Sequence, residues 1–191
     1  MTLKNRLMIL AVLAGFASPL GAVEVKDPSQ AVVEVKGIVC SFCAYGARKN
    51  LARVDFLDRK KFKDGLLMET DKGTITMALE RGKKVDLTKV YKALKKGGYE
   101  VLAIHLNLVG RLQRTGDSAM LTHHDTGQEF DLVDVKSRVW DPKDLLGKEV
   151  SIQGVIPEAI LSKADPAKNF LVQVKSALAY STSPASGLKS D

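Results

Sequence analysis

Apolar residues crowd the short run Ala31-Val32-Val33-Glu34-Val35, which is β-branched and half alternating. Such a run predicts a strand. After a loop from Gly37 to Cys43, Ala44, Ala47, Leu51 and Val54 recur at helical spacing, with Arg48, Lys49 and Arg53 on the other faces. That is the stripe of an amphipathic helix. Leu66 to Thr70 and Thr74 to Leu79 read as two strands joined by the turn Asp71-Lys72-Gly73. Asp86 is placed to cap a second helix, whose stripe is Leu87, Val90, Tyr91 and Leu94. Lys95 and Lys96 suit its negative end, and Gly97-Gly98 stops it. Val101 to Leu108 alternates as a last strand. The order β-α-β-β-α-β is the ferredoxin-like plan, in which one sheet buries both helix stripes on one face. Asp55 to Gly65, DFLDRKKFKDG, is dense in charge and reads as an extended helix end followed by a solvated loop.

The texture changes after Leu106. Leu106 to Leu112 continues the strand, and Ala119–Thr122 and Glu129–Leu132 flank the turn Asp125-Thr126-Gly127. Pro142 to Leu146 reads as a short helix, Glu149 to Ile156 as a strand and Phe170 to Val174 as the last strand. Gly154 inside its strand predicts a bulge or sharp bend. Five strands with a small helix between the third and fourth give the element order of an OB-type barrel. The expected fold class is therefore α+β, with a ferredoxin-like domain over 23–106 and a small all-β, OB-like domain over 107–180. Residues 181–191, rich in Ser, Pro and Gly, read as a flexible tail.

Residues 1–22 follow another pattern. Lys4 and Arg6 precede an apolar run from Leu7 to Ala17, and Ser18-Pro19-Leu20-Gly21-Ala22 follows. This is the plan of a secretory signal peptide, with cleavage expected after Ala22 and Ala17 as second choice. The run is short of the roughly 20 residues of a membrane span, and no later stretch is longer. The expectation is a periplasmic or secreted protein with no stable membrane span after cleavage. Composition adds little: 45% hydrophobic and 27% charged residues are ordinary for a globular protein. The chain carries 29 Lys and Arg against 22 Asp and Glu, a net +7, and loses two of those charges with the leader. The excess is evenly spread and aromatics are 6%, which argues against a nucleic-acid partner.

The two cysteines of the chain, Cys40 and Cys43, stand two residues apart between a strand and a helix start. That spacing brings two sulfurs close enough to hold one ion. The helix start offers unpaired N–H groups and a positive partial charge, which favour thiolate. Two thiolates with no carboxylate or imidazole beside them suit a soft ion such as Cu(I) or Hg(II). A structural zinc needs four ligands, and a second pair is absent.

With Gly37-Ile38-Val39-Cys40-Ser41-Phe42-Cys43 at a strand-to-helix junction, the β-α-β-β-α-β order and Gly98-Tyr99 before the last strand, the segment from Val32 to Ile104 resembles the heavy-metal-associated domain family. That family includes copper chaperones and the periplasmic mercury-binding protein. The resemblance implies a ferredoxin-like fold, one soft metal ion held by Cys40 and Cys43, and transfer by ligand exchange with a metal-donor or metal-acceptor protein. It also implies that Ile38, where the family usually carries Met, and Tyr99 pack the metal loop. The long Asp55–Gly65 connection departs from the family.

Two other readings stand beside this one. A CxxC at a helix start is also the thioredoxin signature, so the pair can serve thiol–disulfide redox or sensing. Against a thioredoxin fold, the loop has no Trp or Pro, and no Pro lies between Pro28 and Pro142 to face the cysteines. Alternatively the cysteines are idle and the OB-like half docks a larger assembly as an adaptor. Elsewhere, His123 and His124 read as surface histidines without a spaced third ligand. His105 alternates out of the apolar face and reads as solvated or hydrogen-bonded, Met68, Met77 and Met120 as core filling, and Trp140 as a hydrophobic plug. No GxSxG, P-loop, HExxH or dinucleotide fingerprint is present, so the expectation is a carrier and not an enzyme.

Overall fold

Residues 23–115, 118–134 and 144–180 are described by a computed structural model. The leader over 1–22, Trp140 and the tail over 181–191 lie outside the described residues. The chain is α+β, mostly strand, with three short helices among the described residues.

Strand β1 (Gln30–Lys36) buries Ala31, Val33 and Val35 on one face, as alternation requires. Helix α1 (Ser41–Leu51) follows at once and buries Ala47 and Leu51. Hairpin β2 (Leu66–Glu69) and β3 (Thr74–Ala78) turns at Gly73, whose φ of +63° suits glycine. Helix α2 (Leu87–Lys96) buries Leu87, Thr88, Val90 and Leu94, while Tyr91 is half-buried. The Asp86 carboxylate accepts from the Thr88 N–H at 3.1 Å, which satisfies one of the free donors at the helix start. We predict that Asp86→Ala lowers stability by about 1 kcal/mol in denaturant titration.

The chain reverses at Gly98 (φ +83°) and enters β4 (Glu100–Thr115), 16 residues long. These elements follow the expected β-α-β-β-α-β order, with strands arranged β2-β3-β1-β4, all antiparallel. The buried stripes of both helices join Ala31, Val33, Val35, Ile75, Met77, Val101 and Ile104 in one core. Each fully buried Val, Leu, Ile or Met side chain among them stabilises by roughly 1.5–3 kcal/mol.

The segment after α1 departs from the expected helix end and solvated loop. Helix α1 stops at Leu51, and the chain proceeds by turns through positive φ at Phe62, Asp64 and Gly65. Val54, Phe56 and Leu57 are buried, and Leu57 bridges to Leu79. The apolar pair sits inside a run of charges, so charge density concealed a core contribution. Guanidinium groups hold the segment down: Arg48 donates to the Lys63 and Leu66 carbonyls, and Arg59 to that of Ala52.

Strand β4 runs on through residues 106 and 107, where the two halves were expected to divide. Its first part pairs with β1, its last part with β5 (Ser118–His123), and residues 103–111 also pair with β7 (Glu149–Pro157). With β6 (Glu129–Asp134) and β8 (Phe170–Ala179), these strands close a barrel in the order β4-β5-β6-β8-β7-β4. The β6–β8 contact is parallel and the others antiparallel, so the barrel is mixed. Leu112, Leu121, Phe130, Leu132, Ile152 and Val172 are among the buried residues of this half, in the same core cluster as the first-half residues.

The irregularity expected at Gly154 lies opposite it: the β7–β8 register shifts between Gln153 and Gly154, and the extra residue belongs to β8. Of the expected short helix over 142–146, residues 142 and 143 lie outside the described residues, Asp144 is in a 3₁₀ turn and Leu145 and Leu146 lie in the turn that follows. A further helix, α3 (Glu158–Leu161), follows β7 and was not expected. Four residues after a Pro are too few to show a helical period.

Candidate metal centre

Gly37 leaves β1 at φ +98°, which turns the chain out of the sheet. Ile38 then points inward and is 1% exposed, while Val39 is 81% exposed. One side chain anchors the loop and the next is thrown into solvent. Cys40 is extended (φ −154°, ψ 167°) and occupies the N-cap of α1. Its sulfur accepts from the Cys43 N–H at 3.3 Å, the role that Ser, Asp or Asn usually takes. Cys43 lies in the first turn of the helix and not in the loop where the sequence put it.

Both cysteines are free, Cys40 exposed and Cys43 half-buried, with their sulfurs 2.7 Å apart. A disulfide needs about 2.05 Å. A shared ion bonded at about 2.3 Å to each sulfur would spread them to roughly 4 Å. The pair stands between the two.

The Cys40 thiol is held below the ordinary cysteine range, first by its contact with the Cys43 sulfur and then by the Cys43 and Phe42 N–H groups, with slight burial opposing. Donors aimed at the sulfur favour thiolate, the form that binds metal. The first turn of α1 carries no acidic residue to oppose this.

Tyr99 supports the loop from the opposite chain segment. Its hydroxyl donates to the Cys43 carbonyl at 2.8 Å. Burial, then the negative charge of the two cysteine sulfurs, push the phenol above its ordinary range, so it stays a donor. Three glycines shape its slot. A Cβ on Gly37 would touch the ring at 3.5 Å, one on Gly46 would meet the hydroxyl at 2.6 Å, and one on Gly97 would meet the ring at 2.8 Å. Tyr99 thus lies against the cysteine segment, while Ile38, two residues before Cys40, is buried in the core.

Gly46 went unnoticed in the sequence, although a lone glycine inside a helical pattern costs about 1 kcal/mol against alanine and so asks for a packing reason. In the wild-type background we predict that Gly46→Ala is destabilising, because the new methyl displaces the Tyr99 hydroxyl. In a Tyr99→Phe background the same substitution is stabilising by up to about 1 kcal/mol, because the ring carbon Cζ is 3.9 Å away and only the helix preference remains. Thermal unfolding of the four variants checks the change of sign.

Large apolar side chains close to the pair in sequence are exposed: Phe42 is 86% and Tyr45 69% exposed, and Val39 precedes Cys40 directly. Both aromatics lie off the Ala47/Leu51 stripe, which was the signal for their exposure.

The other candidate residues sit apart from the cysteines. His123 bonds Thr126 through Nδ1 (3.1 Å), and burial holds it below the ordinary histidine range. His124 is exposed, with Glu149 at 3.5 Å. His105 is 4% exposed and hydrogen-bonded, not solvated. Met77 is buried, and Met68 and Met120 are half-buried. Among the described residues, no group of three or more His, Cys, Asp and Glu side chains is placed to hold a metal ion. Nor is any helix among them long and apolar enough to cross a membrane. Compared with known proteins, the chain matches no family model and no curated protein.

Proposed function

We propose that the protein is an exported carrier that holds one soft metal ion, Cu(I) or Hg(II), between the thiolates of Cys40 and Cys43. The observation that carries this reading is the pair of free sulfurs 2.7 Å apart at the capped, exposed start of α1. Export rests on the leader pattern of residues 1–22. The strand order β2-β3-β1-β4 supports a ferredoxin-like first half, and the closed barrel with its parallel β6–β8 contact supports an OB-like second half.

The chemistry follows from exposure and charge. Metal entry releases the thiol protons, and the low-lying Cys40 thiol gives up its own readily. A partner thiolate then forms a metal–sulfur bond while a bond to Cys40 or Cys43 breaks, with no change in oxidation state. Cys40, the more exposed sulfur, is the one a partner reaches first. Val39, Phe42 and Tyr45 offer that metal-donor or metal-acceptor protein an apolar rim. The barrel is read as a contact module, and no catalytic step is assigned.

A thiol–disulfide role is the second reading, favoured by the same 2.7 Å separation, which is nearer to a disulfide than to a shared ion. Anaerobic titration separates the two. The carrier reading expects reduced protein to bind one equivalent of Cu(I) tightly and to release it to a dithiol acceptor. The redox reading expects weak metal binding, a relatively oxidising potential and rapid exchange with thiol substrates.

A further inference from the structure

His105 lies on β4 on the side of the sheet away from α1 and α2, far in sequence from its two charged neighbours. Lys175 Nζ is 3.1 Å from its Nδ1, and Glu34 Oε1 is 2.9 Å from its Nε2. The Glu34 oxygen stands off the ring N–H direction, so Nε2 has no hydrogen-bond partner despite that distance. An ammonium can only donate, so Nδ1 must be the acceptor. The ring is therefore neutral, with its proton on Nε2.

The backbone delivers Lys175 to this place. On β8, Ser176 pairs with Gln153 and Val174 with Gly154, which leaves Lys175 as the extra residue of a bulge. A bulge re-aims a side chain that regular pairing would send elsewhere. Beyond it the strand is thinly held. Phe170–Val174 pairs with β6, whereas Ser176–Ala179 pairs with β7 alone, and Leu178 is 70% exposed.

We propose that Glu34, His105 and Lys175 form a proton-sensitive latch that fastens the end of β8, and that proton uptake by His105 releases it. A second proton on the ring must occupy Nδ1. That removes the acceptor for Lys175 and sets two cations 3.1 Å apart, while Glu34 draws the ring the other way. Lys175 leaves, the bulge loses its anchor, and Ser176–Ala179 opens.

Glu34 from β1 and Lys175 from β8 are the charged groups facing the ring; its register neighbours are Val32 on β1 and Val155 on β7. Burial, helped by Lys175 and opposed by Glu34, holds the imidazole below its ordinary range. An unfolded histidine takes its proton near pH 6.5. The stabilisation is thus complete above that value and is lost as pH falls through the lower folded value.

Amide hydrogen exchange, corrected for the intrinsic pH dependence, tests the latch. Protection of Ser176–Ala179 should fall at least about tenfold between about pH 7.5 and about pH 5, while Phe170–Val174 holds. Lys175→Met should show the low protection at both pH values. Nitrogen-15 shifts of the ring should place the neutral proton on Nε2. The latch is overturned if wild-type protection is the same at both pH values, if Lys175→Met matches the wild type at the higher one, or if the neutral proton resides on Nδ1.

Discussion

Replacing Cys40 by Ser is expected to weaken Cu(I) or Hg(II) binding by more than a hundredfold while leaving the fold intact. Removing residues that merely orient a metal ligand typically costs 10–100-fold, and loss of one of two ligands costs more. A hydroxyl is a hard donor and does not replace a thiolate for a soft ion. The fold should survive because Cys40 is the N-cap of α1, accepting from the Cys43 N–H at 3.3 Å, and Ser is a preferred residue at that position. Competition titration against a chelator of known affinity measures the loss, and circular dichroism confirms the helix. A variant that binds as well as the wild type would show that the ion does not need Cys40.

A large effect of a different kind is expected at Gly110. It lies where β4 passes from β1 to β5, paired with His123. A Cβ there would stand 2.1 Å from the Thr122 carbonyl oxygen, 2.8 Å from its carbon and 2.9 Å from the His123 Cα. All three are backbone atoms, so no side chain can swing aside. Gly110→Ala must push β5 away from β4 and should cost about 3 kcal/mol, near the upper end of overpacking penalties. For a chain of this size that lowers the melting temperature by roughly 6–12 °C. Gly82→Ala is the control. Nothing lies within 4 Å of its Cβ position, and only the strain of φ +77° remains. Equal melting temperatures for the two variants would show that β4 and β5 are not in this close register. Metal stoichiometry of folded Gly110→Ala should stay at that of the wild type, because the cysteines lie at the far end of β1.

Local signals carried much of this architecture. Ala47 and Leu51 announced the buried face of α1, Asp86 the start of α2, and Gly154 the place where the β7–β8 register breaks. Each depends on neighbours within a turn or a strand. The cysteine pair was legible for the same reason, since its spacing and the helix start lie in one short segment. Contacts made at long range were not. Phe56 and Leu57 lie among charges, and what buries them is a sheet assembled from distant strands. The ends of β4 and β8 ran past their predicted limits because partners, and not the alternation of Gln113 or Leu178, fix strand length. The Gly37–Gly46–Gly97 slot around Tyr99 gathers residues from two helix segments and a loop. Lys175 reaches His105 across 70 positions of sequence, and no periodicity links them.

The proposal that both sulfurs grip a single ion is tested most directly by X-ray absorption at the metal edge of reduced protein loaded with one equivalent of Cu(I). The account predicts a first shell of sulfur alone, contributed by Cys40 and Cys43. A shell with nitrogen or oxygen donors, or one left unchanged in the Cys40→Ser/Cys43→Ser double variant, would contradict it.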